Sequence, residues 1–169
     1  MKLKNIYQGK VVSLSVLDLV LPNGVRSKVE VVGHPGGAAV LPVFPNGDIL
    51  LLRQYRACLK RYIWEIPAGR LEKGEAPRQA VLRELQEETG FKARSIKKIL
   101  SVWTTPGFCQ EVIHLFVAKG LTLGNCLREQ DEIIETHRFS AQKIKQMLKS
   151  GKIQDSKTLV ALLFYFRNL

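Results

Sequence analysis

The stretch AGRLEKGEAPRQAVLRELQEETGF, residues 68–91, gathers five glutamates and three arginines into 24 residues. Over residues 76–89 the apolar positions Ala80, Val81, Leu82 and Leu85 recur at helical spacing, and Gly90 is well placed to stop the helix. At about 3.6 residues per turn, Glu84 and Glu88 share one face, and Glu87 adjoins the same edge. Three converging carboxylates repel one another unless something positive lies between them. Arg83, four residues before Glu87, can pair with it and hold its rotamer, leaving Glu84 and Glu88 free. Taken alone, the helix leaves two readings open: a solvated face of i,i+4 ion pairs, or the wall of a cation site.

The remainder of the chain sets the frame. With 169 residues, 46% of them hydrophobic, one domain over residues 1–169 with its own core is expected. The opening MKLKNIYQGK lacks the apolar centre of a signal peptide, and no apolar run approaches the ~18 residues of a membrane span, so a soluble, cytoplasmic protein is expected. Cys58, Cys109 and Cys126 show no CxxC spacing and read as free thiols, not as a disulfide framework or zinc site. The formal charge of +11 favours anionic partners. Yet ten of the 15 acidic residues fall in two short segments, 65–88 and 129–135, leaving the rest of the chain basic. The lysines after residue 141 occupy polar helix positions, and no aromatic-interleaved basic motif accompanies them. A solvated face is therefore expected there in preference to a nucleic-acid groove.

Alternating β-branched runs around Pro22-Asn23-Gly24 predict a hairpin. The segment GGAAVLPVFPNGDILLLRQYR repeats that scheme, with strands near residues 38–44 and 48–55 apolar enough to be covered on both faces. A short strand at YIWEIP, the Gly-rich loop PAGRLEKGE, the helix, strands at about 96–103, 112–118 and 133–138, and two carboxy-terminal helices follow. Mixed strands with few helices suggest α+β or α/β layering.

Gly69, five residues, Glu75, seven residues and then RELQEETGF reproduce the Nudix box at nine fixed or restricted positions across 23 residues, and on this motif the chain resembles the Nudix hydrolases. The resemblance implies an α/β/α sandwich with a mixed central sheet and an amino-terminal antiparallel sheet. It also implies hydrolysis of a nucleoside diphosphate linked to another moiety, with Mg²⁺, or Mn²⁺ in its place, screening the pyrophosphate and acidifying a water. Glu84 and Glu88 would supply hard oxygen ligands from one helix face. By resemblance, the Ala68 carbonyl completes the protein ligands, Glu87 is a nearby carboxylate and Arg83 its orienting partner. Gly69 lets the loop fold back onto the helix.

WEIPAG before the box, RQYR on the preceding strand and Pro106-Gly107-Phe108, fifteen residues beyond Phe91, are similar to the ADP-ribose pyrophosphatase branch. An isolated Pro-Gly would read only as a turn. The branch implies Arg56 as a bidentate phosphate contact, with Arg53 supporting its strand. It implies Arg26 reaching the substrate across a homodimer formed by exchange of the amino-terminal sheet, about residues 1–35, although a plain hairpin cation is the competing reading. Glu65 and Glu111 would orient the ribose or metal waters, unless Glu65 pairs with a neighbouring arginine. Cys109-Gln110 departs from the branch's usual small hydroxyl and acid, which keeps other nucleotide sugars such as GDP-mannose, and dinucleotides, in play.

A glutamate on a remote loop serves as general base in this branch, and LREQDEIIETHRF is where it should lie. Glu132 aligns best, with Glu129 and Asp131 as substitutes, against the alternative of a solvated acidic loop. His114, inside an apolar strand, reads as structural. Two other classes are weighed: a nucleotide-binding regulator without turnover, disfavoured by the complete box, and an enzyme acting on RNA 5′ ends.

Overall fold

The computed structural model describes residues 2–125 and 133–168. Its amino-terminal sheet has the order β1-β2-β3, from β1 (Lys2–Gln8), β2 (Ser13–Val20) and β3 (Arg26–Gly33), all antiparallel. The predicted hairpin is β2–β3. Leu21 closes it by donating to Val25 O at 2.8 Å and accepting from Gly24 N–H at 2.8 Å, with Gly24 at a φ of 82° that glycine adopts without strain. The first strand went unread because KLKNIYQ is too polar and irregular to alternate; it pairs Leu3 with Leu17 and carries an irregularity between Asn5 and Tyr7.

The second Pro-Asn-Gly turn departs from expectation. Phe44 and Asp48 close it, and Val43 bridges Ile49, but β4 (Gly37–Pro42) and β5 (Ile49–Arg56) then enter different sheets. The physical reason is coverage. β4 is buried along its whole length, and β5 is buried over most of its own. Two such strands need layers on both sides, and a flat hairpin would leave one face of each in water.

β4 lies inside a four-stranded sheet of order β7-β4-β9-β8, with β7 (Ala68–Arg70), β8 (Phe91–Trp103) and β9 (Val112–Leu123); β4 and β9 run parallel and the other pairs antiparallel. β5 is central in a second sheet, β10-β5-β6, with β6 (Arg61–Glu65) and β10 (Ile134–Phe139). Successive side chains of β4 serve opposite layers. Ala38 and Val40 join Val81, Leu85 and Phe116 beneath α1 (Pro77–Thr89). Ala39 and Leu41 join Ile49, Leu51 and Leu115 with residues of α2 (Ala141–Lys149) and α3 (Ser156–Arg167). The result is the expected α/β/α sandwich around a mixed sheet.

Two termini of α1 matter for the site. Pro77 opens the helix where a missing N–H costs nothing, and the Gln79 side chain accepts from Ala76 N–H at 3.2 Å. Gly90 ends it at φ 76°, donating to Gln86 O. Leu85, fully buried, anchors the helix from the same turn that carries Glu84 and Glu88. Among the described residues no helix is long and apolar enough to cross a membrane.

Candidate active site

The residues before α1 return against its glutamates. Glu88, 1% exposed, accepts from Ala68 N–H at 2.9 Å. Glu84, 8% exposed, lies against Gly69 so closely that a Cβ there would sit 1.7 Å from its Oε1. Gly69 is thus required by approach, not by a left-handed backbone. Arg83 binds more than the sequence suggested. It meets Glu87 Oε2 at 2.9 Å as expected, reaches Glu84 Oε1 at 2.6 Å, and grips Glu75 through Nε at 3.0 Å and Nη2 at 3.1 Å. Glu84 is therefore not left free of Arg83, because a guanidinium has five donors and can serve three carboxylates at once. The hydrogen bonds that Arg83 donates to Glu75 lead the influences that raise the Arg83 pKa and keep it charged; the same contact pulls the Glu75 carboxyl below its ordinary value.

A cleft of about 530 Å³ opens beside these residues, with Ala68, Gly69, Arg56, Glu65, Glu111 and Lys157 in its wall. Arg56 grips the Glu65 carboxylate in a fork, Nε to Oε1 at 2.6 Å and Nη2 to Oε2 at 2.7 Å. Lys157 Nζ donates to Glu65 Oε2, the oxygen that Arg56 Nη2 also reaches, and to Asp155 Oδ1 at 2.9 Å. Burial alone would push the Glu65 carboxyl up, but the hydrogen bonds and charges of Arg56 and Lys157 outweigh it and hold the group below the usual carboxylate range. The pairing of Glu65 with an arginine is thus the observed one. At 1% exposure, with both oxygens engaged, Glu65 holds Arg56 in place more readily than it could orient a sugar.

Glu111 stands across the cleft, 3.4 Å from His34 Nδ1, which accepts from Gly36 N–H at 3.1 Å. Arg26 opens β3 opposite Val20, and Pro106, Gly107 and Phe108 follow the cleft residues Thr104 and Thr105; none of these four belongs to the cleft wall of the single chain among the described residues. Phe108 and Gln110 instead pair with the end of β3, through Val32 N–H to Phe108 O at 2.7 Å and Gln110 N–H to Val32 O at 3.0 Å. Arg53 supports its strand, reaching Glu135 at 3.1 Å and lying over the Tyr62 ring. His114 hydrogen bonds Ser101 at 2.8 Å outside the cleft, its pKa lowered by burial and by Lys98. Glu129, Asp131, Glu132 and Cys126 lie outside the described residues.

His34, Asp155 and Lys157 were not singled out from the sequence. Asp155 had a signal, an Asp immediately before an apolar helix; the partnership of Lys157 with Glu65, 92 residues away, had none.

Whether the site suits a divalent cation turns on its donors. Among the described residues no three His, Cys, Asp or Glu side chains form a metal cluster by themselves. Glu84 and Glu88, however, are buried hard oxygen donors on one helix face, and they sit against the backbone at residues 68–69, which can contribute a carbonyl. Two carboxylates and a carbonyl, with water or phosphate oxygens completing the shell, fit Mg²⁺ or Mn²⁺.

Comparison with known proteins agrees with this geometry. A family model described as the NUDIX domain matches residues 33–162. An ADP-ribose pyrophosphatase of Bacillus subtilis (strain 168) is 44% identical over 161 residues, covering 94% of this chain and 87% of that protein. A methanol dehydrogenase activator of Bacillus methanolicus is also 44% identical, over 95% of this chain and 88% of its own. The crystal structure of an ADP compounds hydrolase superposes with a TM-score of 0.85 at 21% identity, covering 99% of this chain and 91% of that one, which shows the fold.

Proposed function

Because the chain belongs to the Nudix family of hydrolases, we propose that it hydrolyses the pyrophosphate of ADP-ribose to give AMP and ribose 5-phosphate. One observation carries this reading. Gly69 and α1 approach so closely that the Glu84 carboxylate occupies the space of a side chain, bringing Glu84 and Glu88 against the backbone at the edge of the 530 Å³ cleft.

Glu84, Glu88 and the Ala68 carbonyl are the ligands we assign to a divalent cation, Mg²⁺ first and Mn²⁺ second. When bound, it screens the pyrophosphate charge and makes a water more acidic. Arg83 fixes Glu84 and Glu87 and stays charged throughout. Arg56, aimed by Glu65, offers its remaining donors to a phosphate oxygen. The water oxygen bonds to one phosphorus, the bridging P–O bond breaks, and the bridging oxygen leaves with the other phosphate. Glu132, or Glu129 or Asp131 in its stead, takes the water's proton, and Glu111 orients the ribose.

The functional unit is proposed to be a homodimer. The exposure of apolar residues on the amino-terminal sheet supports this, with Leu3 65%, Tyr7 59% and Val20 59% exposed. In the pair, Arg26 acts at the partner's cleft, which agrees with its position off the wall of its own, and the Pro106-Gly107-Phe108 segment, next to the cleft residues Thr104 and Thr105, contacts the substrate. Sedimentation should give twice the monomer mass, and a monomer of full activity would remove this part of the proposal.

Product release with and without Mg²⁺ across ADP-ribose, GDP-mannose, UDP-glucose, NADH and a diadenosine polyphosphate tests the reading. Preference for ADP-ribose is the expected result. Preference for another substrate would keep the metal helix and overturn the substrate. The relative that activates methanol dehydrogenase supports a second reading, action upon a dehydrogenase. It predicts that the chain changes the turnover of a methanol dehydrogenase.

A further inference from the structure

Asp155 caps α3 and Thr158 lies in its first turn, far in sequence from α1. Thr158 is fully buried. Its hydroxyl donates to Asp155 Oδ2 at 2.6 Å, and Thr158 N–H donates to the same oxygen at 3.0 Å. With its proton committed to Asp155, the Thr158 oxygen presents a lone pair, and Ile66 N–H donates to it at 2.9 Å. The hydroxyl therefore has a fixed direction: donor towards the cap, acceptor towards the strand.

Ile66 stands two residues before Ala68. Pro67, between them, accepts from Val40 N–H at 2.9 Å, and Ala68 N–H donates to Glu88 at 2.9 Å. Of the three peptide units between Glu65 and Ala68, the first is thus pinned by α3 through Thr158 and the last by two elements at once, β4 through Val40 and α1 through Glu88. Proline's fixed φ leaves little slack between the pins. Lys157 adds a second tie from the same turn to Glu65, the residue just before Ile66.

A capping residue normally satisfies only its own helix. Here the cap continues outward into the segment whose Ala68 N–H meets Glu88 and whose Gly69 meets Glu84. We propose that Thr158, oriented by Asp155, is a positioning residue for the metal site: it sets the placement of the Ala68 carbonyl and of Gly69 against α1. This rests on the metal reading given above. Residues around a metal site that orient its ligands typically contribute 10–100-fold to metal affinity.

The test is Mn²⁺ binding to the substrate-free protein, read from the loss of the free-ion paramagnetic resonance signal, with melting temperature recorded alongside. Thr158→Val keeps the shape, removes the hydroxyl and leaves Ile66 N–H without that acceptor. It should weaken Mn²⁺ about tenfold or more, while Thr158→Ser restores binding to within about threefold of the parent. A residue that only supports the fold would lower the melting temperature of Thr158→Val and leave the affinity of the folded protein unchanged. That result overturns the proposal. If Thr158→Val does not fold, Asp155→Ala removes the acceptor that directs the hydroxyl without altering the buried volume at Thr158, and it carries the same expectation. Loss of binding in Glu88→Gln identifies the site being read. Parent protein that fails to bind Mn²⁺, or binds it unchanged in Glu88→Gln, overturns the metal reading itself and this inference with it.

Discussion

Replacing Gly69 by alanine isolates the contact on which the proposed chemistry depends. The added Cβ would lie 1.7 Å from Glu84 Oε1, 2.0 Å from Cδ and 2.6 Å from Oε2, so rotation about the carboxylate bond gives no escape. Real Cβ contacts essentially never fall under 3.0 Å, so the Glu84 group or the loop must retreat by more than ~1 Å, a misplacement that costs on the order of 10²-fold in rate. That corresponds to about 2.7 kcal/mol of transition-state stabilisation. The displaced carboxylate also leaves Arg83 Nη1, its partner at 2.6 Å. The backbone at Gly69 is not in the left-handed region, so alanine brings no conformational penalty of its own. Steady-state kinetics on ADP-ribose should show kcat/KM down about 100-fold, with a smaller change in melting temperature than Leu85→Ala, for which about 2–5 kcal/mol is expected. The double variant Gly69→Ala with Glu84→Gln should be no worse than Glu84→Gln alone, because both remove one contact. Gly69→Ala with parent-like kcat/KM, or simple additivity with Glu84→Gln, would refute the reasoning.

Arg56→Lys replaces a planar fork by a point charge and should raise KM about tenfold with kcat less affected; an unchanged KM would remove Arg56 from phosphate binding. Glu132→Gln should lower kcat by about 10²–10⁴ with little change in KM. If Glu129→Gln has that effect instead, the base is Glu129, and if neither does, the base lies outside this pair. The Glu65 pairing predicts an acid-sensitive fold. Its folded pKa is depressed, so below the unfolded value of about 4.3 the unfolded state binds more protons. The stability it contributes is therefore complete above that pH and is lost as pH falls through the folded value. Melting temperatures between about pH 3 and 6 should fall less steeply in Glu65→Gln than in the parent, and parallel slopes would count against the pairing.

The layers were legible where patterning is local. The helix over 76–89, its stop at Gly90 and the hairpin at Gly24 follow from period, cap and turn chemistry within a few residues. Other features depend on partners that local patterning does not carry. β1 exists because β2 offers it an edge. β4 and β5 are strands in either arrangement, but the apolar run that marks both as covered cannot say by what, so the step from one sheet to the other at Val43 and Ile49 had no signal.

The two walls of the cleft divide along the same line. One wall is short-range: Arg83 binds Glu75, Glu84 and Glu87 at separations of eight, one and four residues, and Glu88 reaches Ala68 twenty residues back. Such a wall must appear as a contiguous motif, because fixed spacing along one loop and helix is what brings its atoms together. The other wall joins β5, β6 and α3, with Lys157 to Glu65 and Thr158 to Ile66 each spanning 92 residues. Any sequence that docks α3 in this register satisfies it, so no local spacing encodes it. The family motif lies in the first wall, and the proposed phosphate contact of Arg56 in the second. Membership of the Nudix hydrolases was therefore readable from residues 69–91, whereas the support given to Arg56 by Glu65 and Lys157 emerged only once the chain was folded.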